Sequence, residues 1–420
     1  MSKRKYFRVS FLFCLLIMTV FPLVLILSRP NRVAAAGMVI TVPDDYSTVS
    51  LAVEAATDGD TIFVRAGQYA DGNILVNKTL TIVGESAQNT TIDGGGTASF
   101  IFQIITSNVT LENFTLRHTI NSFFQQGTSI RVFNVTNVNI KNVRSEEVYH
   151  GIELLATTFS TMIDCEVLNS TANGFYIHNV STSNTIVGNT IQDNSIGIFL
   201  ASTNDQFNMI YHNNFVNNTS QIVSFGVNYF DNGYPSGGNY FSDYMGTDMN
   251  RTTGQNVSGS DGIFDDPYLG DSYPFVSPLQ RFHVAAAGND FLVQASTNVT
   301  LTSCILNVST KTLEFRVQTS GNFTGSVRVQ IPKDLLSCGT LNEWVVTVYG
   351  ADGLQTPSYL PLEDSNNTFL YFVYNQTQIV SKIEVRGTYV VSEYTFIWMV
   401  LLLAFAAGVI VLETSGIRKR

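Results

Sequence analysis

Charge is scarce in this chain. Asp, Glu, Lys and Arg supply only 13% of its 420 residues, and the balance is acidic, −10 at neutral pH. A nucleic-acid partner needs a basic stripe against its phosphates, so nucleic acid is excluded. Cysteine is nearly as rare. Of four residues, Cys14 lies in an apolar leader and Cys165 at a repeat position. That leaves Cys304 and Cys338 as the pair able to form a disulfide in an oxidising compartment. Spacing does not fix their separation, and two separately buried thiols remain the other reading. The five histidines, His118, His150, His178, His212 and His283, share no spacing of the kind a metal centre uses. Solubility must come from Asn, Ser and Thr.

What the chain does have is a period. GIELL at Gly151, GFYIH at Gly174 and GIFLA at Gly197 recur every 23 residues, and Cys165, Asn189 and Asn213 recur every 24. A fixed period in the low twenties, built from short β-branched segments split by Asn, Gly and Ser, reads as a solenoid. The segments are too short for paired helices, so each period is one coil of a right-handed parallel β-helix. One coil cannot bury its own apolar face and must stack on neighbours about 4.8 Å away. Stacking puts Phe114, Val143, Cys165, Asn189 and Asn213 in one inward column. Val167, Ile191 and Phe215 form a second, and Ile152, Phe175 and Ile198 a third. Asparagine is acceptable inside because stacked amides bond one another and the turn backbone.

Residues 1–36 combine Lys3, Arg4, Lys5 and Arg8 with an apolar run from Phe11 to Leu27 and Ala34-Ala35-Ala36. This is a signal peptide cut after Ala36, or a signal anchor if uncut, and either sends the chain out of the cytoplasm. Sixteen N-x-S/T sequons from Asn77 to Asn375 fit a glycosylated exterior, though an Asn-rich repeat also makes them by chance. Val49, Ala52, Val53 and Ala56 form one apolar helical face, a short helix able to cover the first rung. With DGDTIFVRAGQY, TLTIVGES and TTIDGGG after it, this opening resembles the cap and first coils of pectin-lyase-like β-helices. Beyond the last clear rung, near Asn218, GNYFSDYMGTDMN and DGIFDDPYLGDSYPF resemble the tail of NosD-type β-helix proteins of archaeal and bacterial surfaces. That family is also described as carbohydrate-binding and sugar-hydrolysing, and the resemblance covers roughly residues 38–280. Aromatics from Phe225 to Tyr244 are expected to cover the C-terminal end of the coil.

The β-helix is therefore expected over 37–285, with RFHVAAAGND, residues 281–290, as linker. From Phe291 to Val390 the period vanishes. Alternating strands such as TLEFRVQ, SVRVQIP and KIEVRGTYV suggest an immunoglobulin-like β-sandwich over 286–392. Tyr394 to Leu412 is 19 residues without a charge, followed by Arg418-Lys419-Arg420. This reads as a transmembrane helix over 393–413 and a basic cytoplasmic tail over 414–420.

Solenoid faces suit extended polymers, because rungs repeat at a spacing a sugar chain can follow. Asn113, Asn142, Asp164, Gly188 and His212 should share one outward column, and Thr115, Arg144, Glu166, Thr190 and Asn214 the next. Asp164 and Glu166 are the candidate acid–base pair, on alternate strand positions about 7 Å apart at Cα. Arg144 would neutralise an acidic sugar, and Asn142, His212 and Asn214 would contact the ligand. A solvated Arg144–Glu166 pair is the plainer alternative. Asp248, Asn250, Asp261 and Asp265 offer oxygens for calcium, although RTTGQNVSGS interrupts the run. The NosD resemblance implies a copper role in some members, but Met162 and Met209 fall at inward positions as core residues.

The expected protein is thus an anchored cell-surface β-helix with a binding or structural role toward polysaccharide or cell envelope. The alternative is a carbohydrate-active hydrolase, lyase or epimerase using Asp164, Glu166 and Arg144. A copper-binding role is the third reading.

Overall fold

The computed structural model describes residues 37–391, apart from 319–322, 352 and 377–379. The signal at 1–36, the spanning helix at 393–413 and the tail at 414–420 lie outside the described residues. Among those described, no helix is long and apolar enough to cross a membrane.

The N-terminal part is a right-handed-type parallel β-solenoid of about eight turns. One sheet of fourteen strands follows a path of nine from Val39–Val42 to Tyr240–Phe241, and a second has seven strands from Ile74–Val76 to Ser220–Ser224. The expected columns stand in register: Val143 beside Phe114, Val167–Ile191–Phe215, and Ile152–Phe175–Ile198. All are buried. The helix Val49–Ala55 closes the first rung with Val49, Ala52 and Val53 inward, and its first turn is capped by Thr48 Oγ1 accepting from the Leu51 amide.

The asparagines do two jobs. Inside, the backbone N–H groups of Cys165, Asn189 and Asn213 each donate to the Oδ1 of the asparagine one rung on, at 2.8, 2.9 and 3.0 Å. The Nδ2 of Asn189 and Asn213 donates to carbonyls of the rung before. The column ends on Asp271, which accepts from the amide and Nδ2 of Asn239. Burial pushes the Asp271 carboxyl up to about 8. Two further ladders run through Ser160–Asn184–Asn208–Asn228 and Ser170–Asn194–Asn218. The 24-residue spacing of Asn184 to Asn208 and Asn194 to Asn218 marked both in the sequence.

Outside, the coil turns sharply at left-handed residues stacked rung on rung. Asn113, Asn142, Asp164, Gly188 and His212 form one such corner, with φ from 50° to 71°. His118, Glu147, Asn169, Asp193 and Asn217 form another, with φ from 52° to 56°. Asn and Asp tolerate this backbone better than other L-residues, so a solenoid with many corners is rich in them.

Past the last rung the tail folds over the open end. Phe241 stacks on Phe215 with centroids 5.1 Å apart, and Tyr244 and Tyr268 stack beyond it. Phe225 and Tyr229, expected in this cover, stay exposed.

The second unit is two five-stranded antiparallel sheets, one from Leu279–Ala286 and the other from Thr300–Asn307, around a shared core including Val293, Phe315, Val329 and Trp344. Residues 281–290 are not a linker. They form most of a β-hairpin, Leu279–Ala286 with Asn289–Thr297, turning at Ala287 and Gly288, whose φ values are 50° and 77°. A two-residue turn with both φ positive is the ordinary way to join twisted strands, and Gly288 was its signal. The Cys304–Cys338 disulfide is also absent. Cys304 sits mid-strand opposite Phe315 and Cys338 follows the short strand Leu336–Ser337, so the two belong to elements that do not pair, and both are free thiols packed against the core.

Candidate functional site

The corner column of Asn113, Asn142, Asp164, Gly188 and His212 faces two different environments. Its first three rungs open to solvent, while the last two are covered. The cover over Gly188 is Arg281 from the strand Leu279–Ala286. Gly188, at φ 71°, leaves this space because it has no side chain; a Cβ there would overlap the Arg281 guanidinium. Arg281 Nε lies 3.0 Å from Asp164 Oδ1, at an angle that makes an ion contact rather than a hydrogen bond. Its Nη1 is buried without an acceptor. His283, two residues on, bridges Asp164 Oδ2 at 3.4 Å and Asp290 Oδ2 at 2.7 Å.

Between this hairpin and the solenoid lies an open cleft of about 400 Å³, walled by Asn113, Lys141, Asn142 and Asp164 on one side and Arg281, His283 and Asp290 on the other. Lys141 makes no ion pair within the described residues. On the far side of Asp164 the surface continues as a hollow of about 140 Å³ bounded by Ala87, Gln88, Arg144 and Glu166.

The candidate trio Asp164, Glu166 and Arg144 is therefore gathered in one place, but each carboxylate already has a cation. Arg144 Nη1 lies 2.6 Å from Glu166 Oε2, and Arg144 Nε lies 2.8 Å from Glu146 Oε2. Asn142 donates through Nδ2 to Asn113 Oδ1 at 2.8 Å, on the cleft wall.

The other named residues depart from the expectation. His212 is buried under the tail, with Nε2 3.0 Å from the Ser236 carbonyl, and burial pushes its imidazole down to about 3. Asn214 spends both ends of its amide on the backbone of Leu279, so it docks the second unit instead of meeting a ligand. The calcium set is consumed by loop amides. Asp248 accepts from the N–H of Asp261 and Gly262, and Asp265 accepts from the N–H of Met249 and Asn250 and from Asn250 Nδ2. Burial above all, with the Asp261 and Asp265 carboxylates nearby, pushes Asp248 up to about 6. Among the described residues no three His, Cys, Asp or Glu are arranged to hold a metal ion.

Residues 51–246 match the family model described as Periplasmic copper-binding protein (NosD). Over these residues the solenoid is similar to the NosD family. Solved structures similar to this chain include three β-helix proteins. Pectin methylesterase PemA from Erwinia chrysanthemi is 14% identical with TM-score 0.28, over 42% of this chain and 70% of that one. The catalytic domain of a GH87 α-1,3-glucanase, solved with tetrasaccharides, is 16% identical with TM-score 0.37, over 57% and 50%. The phiAB6 tailspike, solved with oligosaccharides of Acinetobacter baumannii surface polysaccharide, is 14% identical with TM-score 0.28, over 80% and 83%. At these values the likenesses transfer no activity. Among curated proteins, none matches the chain.

The copper in that family's description does not fit the histidines of this solenoid. His118 is held between Asp93 and Glu147, His178 bonds Glu153, His283 bridges Asp164 and Asp290, and His150 and His212 are buried. Met162 lies in the core, while Met209, expected there too, is exposed, and burial pushes the Cys165 thiol up to about 12, too high for a ready thiolate ligand.

The sequence reading missed Lys141, Arg281, His283 and Asp290 as cleft residues. Lys141 was visible, one position before the Asn142 corner. The other three sit where no period applies.

Proposed function

We propose that this chain is an anchored extracytoplasmic protein whose NosD-type solenoid binds polysaccharide without cleaving it. The leader at 1–36 and the apolar stretch at 393–413 place it, in this reading, on the outer side of a cell membrane with its basic tail inside. An immunoglobulin-like module then stands between solenoid and membrane.

The observation that carries the binding role is the composition of the cleft. Side-chain amides from Asn113 and Asn142 and the ammonium of Lys141 line an open groove that crosses rungs. A saccharide chain needs this kind of surface, with many weak polar contacts in a repeating geometry. The observation against catalysis is the pairing of Asp164 with Arg281 and of Glu166 with Arg144. Glycoside hydrolysis calls for one carboxyl that holds a proton and one left free as base or nucleophile.

A glycan array probed with the full-length chain tests this reading, followed by product analysis on every hit. Binding without product, unchanged in Glu166→Gln, is expected. Released oligosaccharide that disappears in Glu166→Gln would establish the hydrolase reading instead, and an array with no hit at all would remove polysaccharide as the ligand.

A further inference from the structure

We propose that the solenoid corner carrying Phe159 and Phe207 is a second polysaccharide subsite, one that takes the apolar faces of sugar rings; it rests on the polysaccharide reading above. The corner is the column Asn137, Phe159, Ser183, Phe207, with φ from 52° to 59°. At such positions Asn is at home, because its short amide can bond the local backbone. A phenylalanine brings a Cβ that crowds the chain and nothing polar to compensate. On the adjoining turn Val180 has φ 67°, and a β-branched residue in left-handed backbone is a true outlier.

None of these side chains is rewarded by burial. Phe159, Val180 and Phe207 are 67%, 56% and 50% exposed. Large apolar groups on strained backbone and facing water serve neither packing nor chain geometry. Strain that persists where the surroundings do not need it points to a use for the side chain itself.

The flanking columns say what that use is. Thr158 and Thr182 pair on one side of the corner and Thr161 and Thr185 on the other, the second column ending at Met209 beside Phe207, with no charged residue among them. Aromatic surface set between hydroxyls, without charge, matches a sugar ring, which presents C–H faces and a rim of hydroxyls. Phe159 and Phe207 stand two rungs apart, about 9.6 Å, close to one disaccharide of an extended β-linked glycan. Only Ser160 and the three-residue strand Thr161–Ile163 separate Phe159 from Asp164, so corner and cleft border the same face.

The test is titration calorimetry of the full-length chain with cellohexaose, chitohexaose and xylohexaose, comparing wild type with Phe159→Asn/Phe207→Asn. The double variant should unfold at the same or a higher temperature, because Asn relieves the backbone. Its affinity for the neutral hexasaccharides should fall by about tenfold or more. Lys141→Ala serves as the cleft control. Wild type that binds array polymers but none of these hexasaccharides, or a double variant that binds them as wild type does, would overturn the corner and leave the cleft standing. A wild type that binds no glycan overturns both. Self-association by sedimentation that the double variant abolishes, with glycan binding intact, would assign the corner to a second copy and overturn the proposal.

Discussion

Asn213 serves several partners at once. Its Oδ1 accepts from the Asn189 amide and from Asn189 Nδ2, and its own Nδ2 donates to the Ile186 carbonyl. Replacement by Leu would fill the space and strand those groups away from water. Each orphaned group costs about 1–3 kcal/mol, so Asn213→Leu should lose at least about 3 kcal/mol in urea unfolding, far more than exposed Asn217→Leu. Buried titrating residues shape the pH response in opposite directions. His212, near 3 in the fold against an ordinary 6.5, stays neutral inside. The unfolded chain takes up that proton first, so the stabilisation is complete above pH 6.5 and is lost as pH falls toward 3. Asp271, near 8 against an ordinary 3.8, works the other way. Its contribution is complete below pH 3.8 and is lost as pH rises toward 8, each unit corresponding to about 1.4 kcal/mol. The two offset between pH 3.8 and 6.5, so thermal melts should peak across that mildly acidic window and fall on either side of it. His212→Gln should flatten the acid limb, and a limb that stays equally steep would refute the assignment.

At the scale of elements, the hairpin Leu279–Thr297 is the piece that turns a flat solenoid face into a cleft. It lies down because Gly188 leaves room for Arg281, and because Asn214 holds the backbone of Leu279. Gly188→Leu should lift the hairpin and expose Arg281 to trypsin, while the circular dichroism of the solenoid persists. Uncut Arg281 in that variant would mean the docking rests elsewhere, for example on Arg328, whose Nη1 donates to the Asp261 carbonyl at 2.6 Å. The same elements show what the sequence could reveal. Columns such as Val167–Ile191–Phe215 were legible because a repeated geometry writes a repeated pattern. The cover over Gly188 and His212 was not, because it comes from a segment with no period that docks by shape. The acidic run from Asp248 to Asp265 was legible as oxygen-rich, but nothing in it told that turn amides would claim those oxygens.

For the whole molecule, the solenoid and the two-sheet unit wall one cleft, with Asn113, Lys141 and Asn142 on one side and Arg281 and His283 on the other. Under the proposed binding role, the second unit is part of the recognition surface and more than a spacer. Hydrogen exchange on the full-length chain, with and without a polysaccharide found on the array, tests this most directly. Binding in the cleft predicts slower exchange in residues 139–146 and 279–290 together. Protection confined to the solenoid, or to the second unit alone, would contradict it.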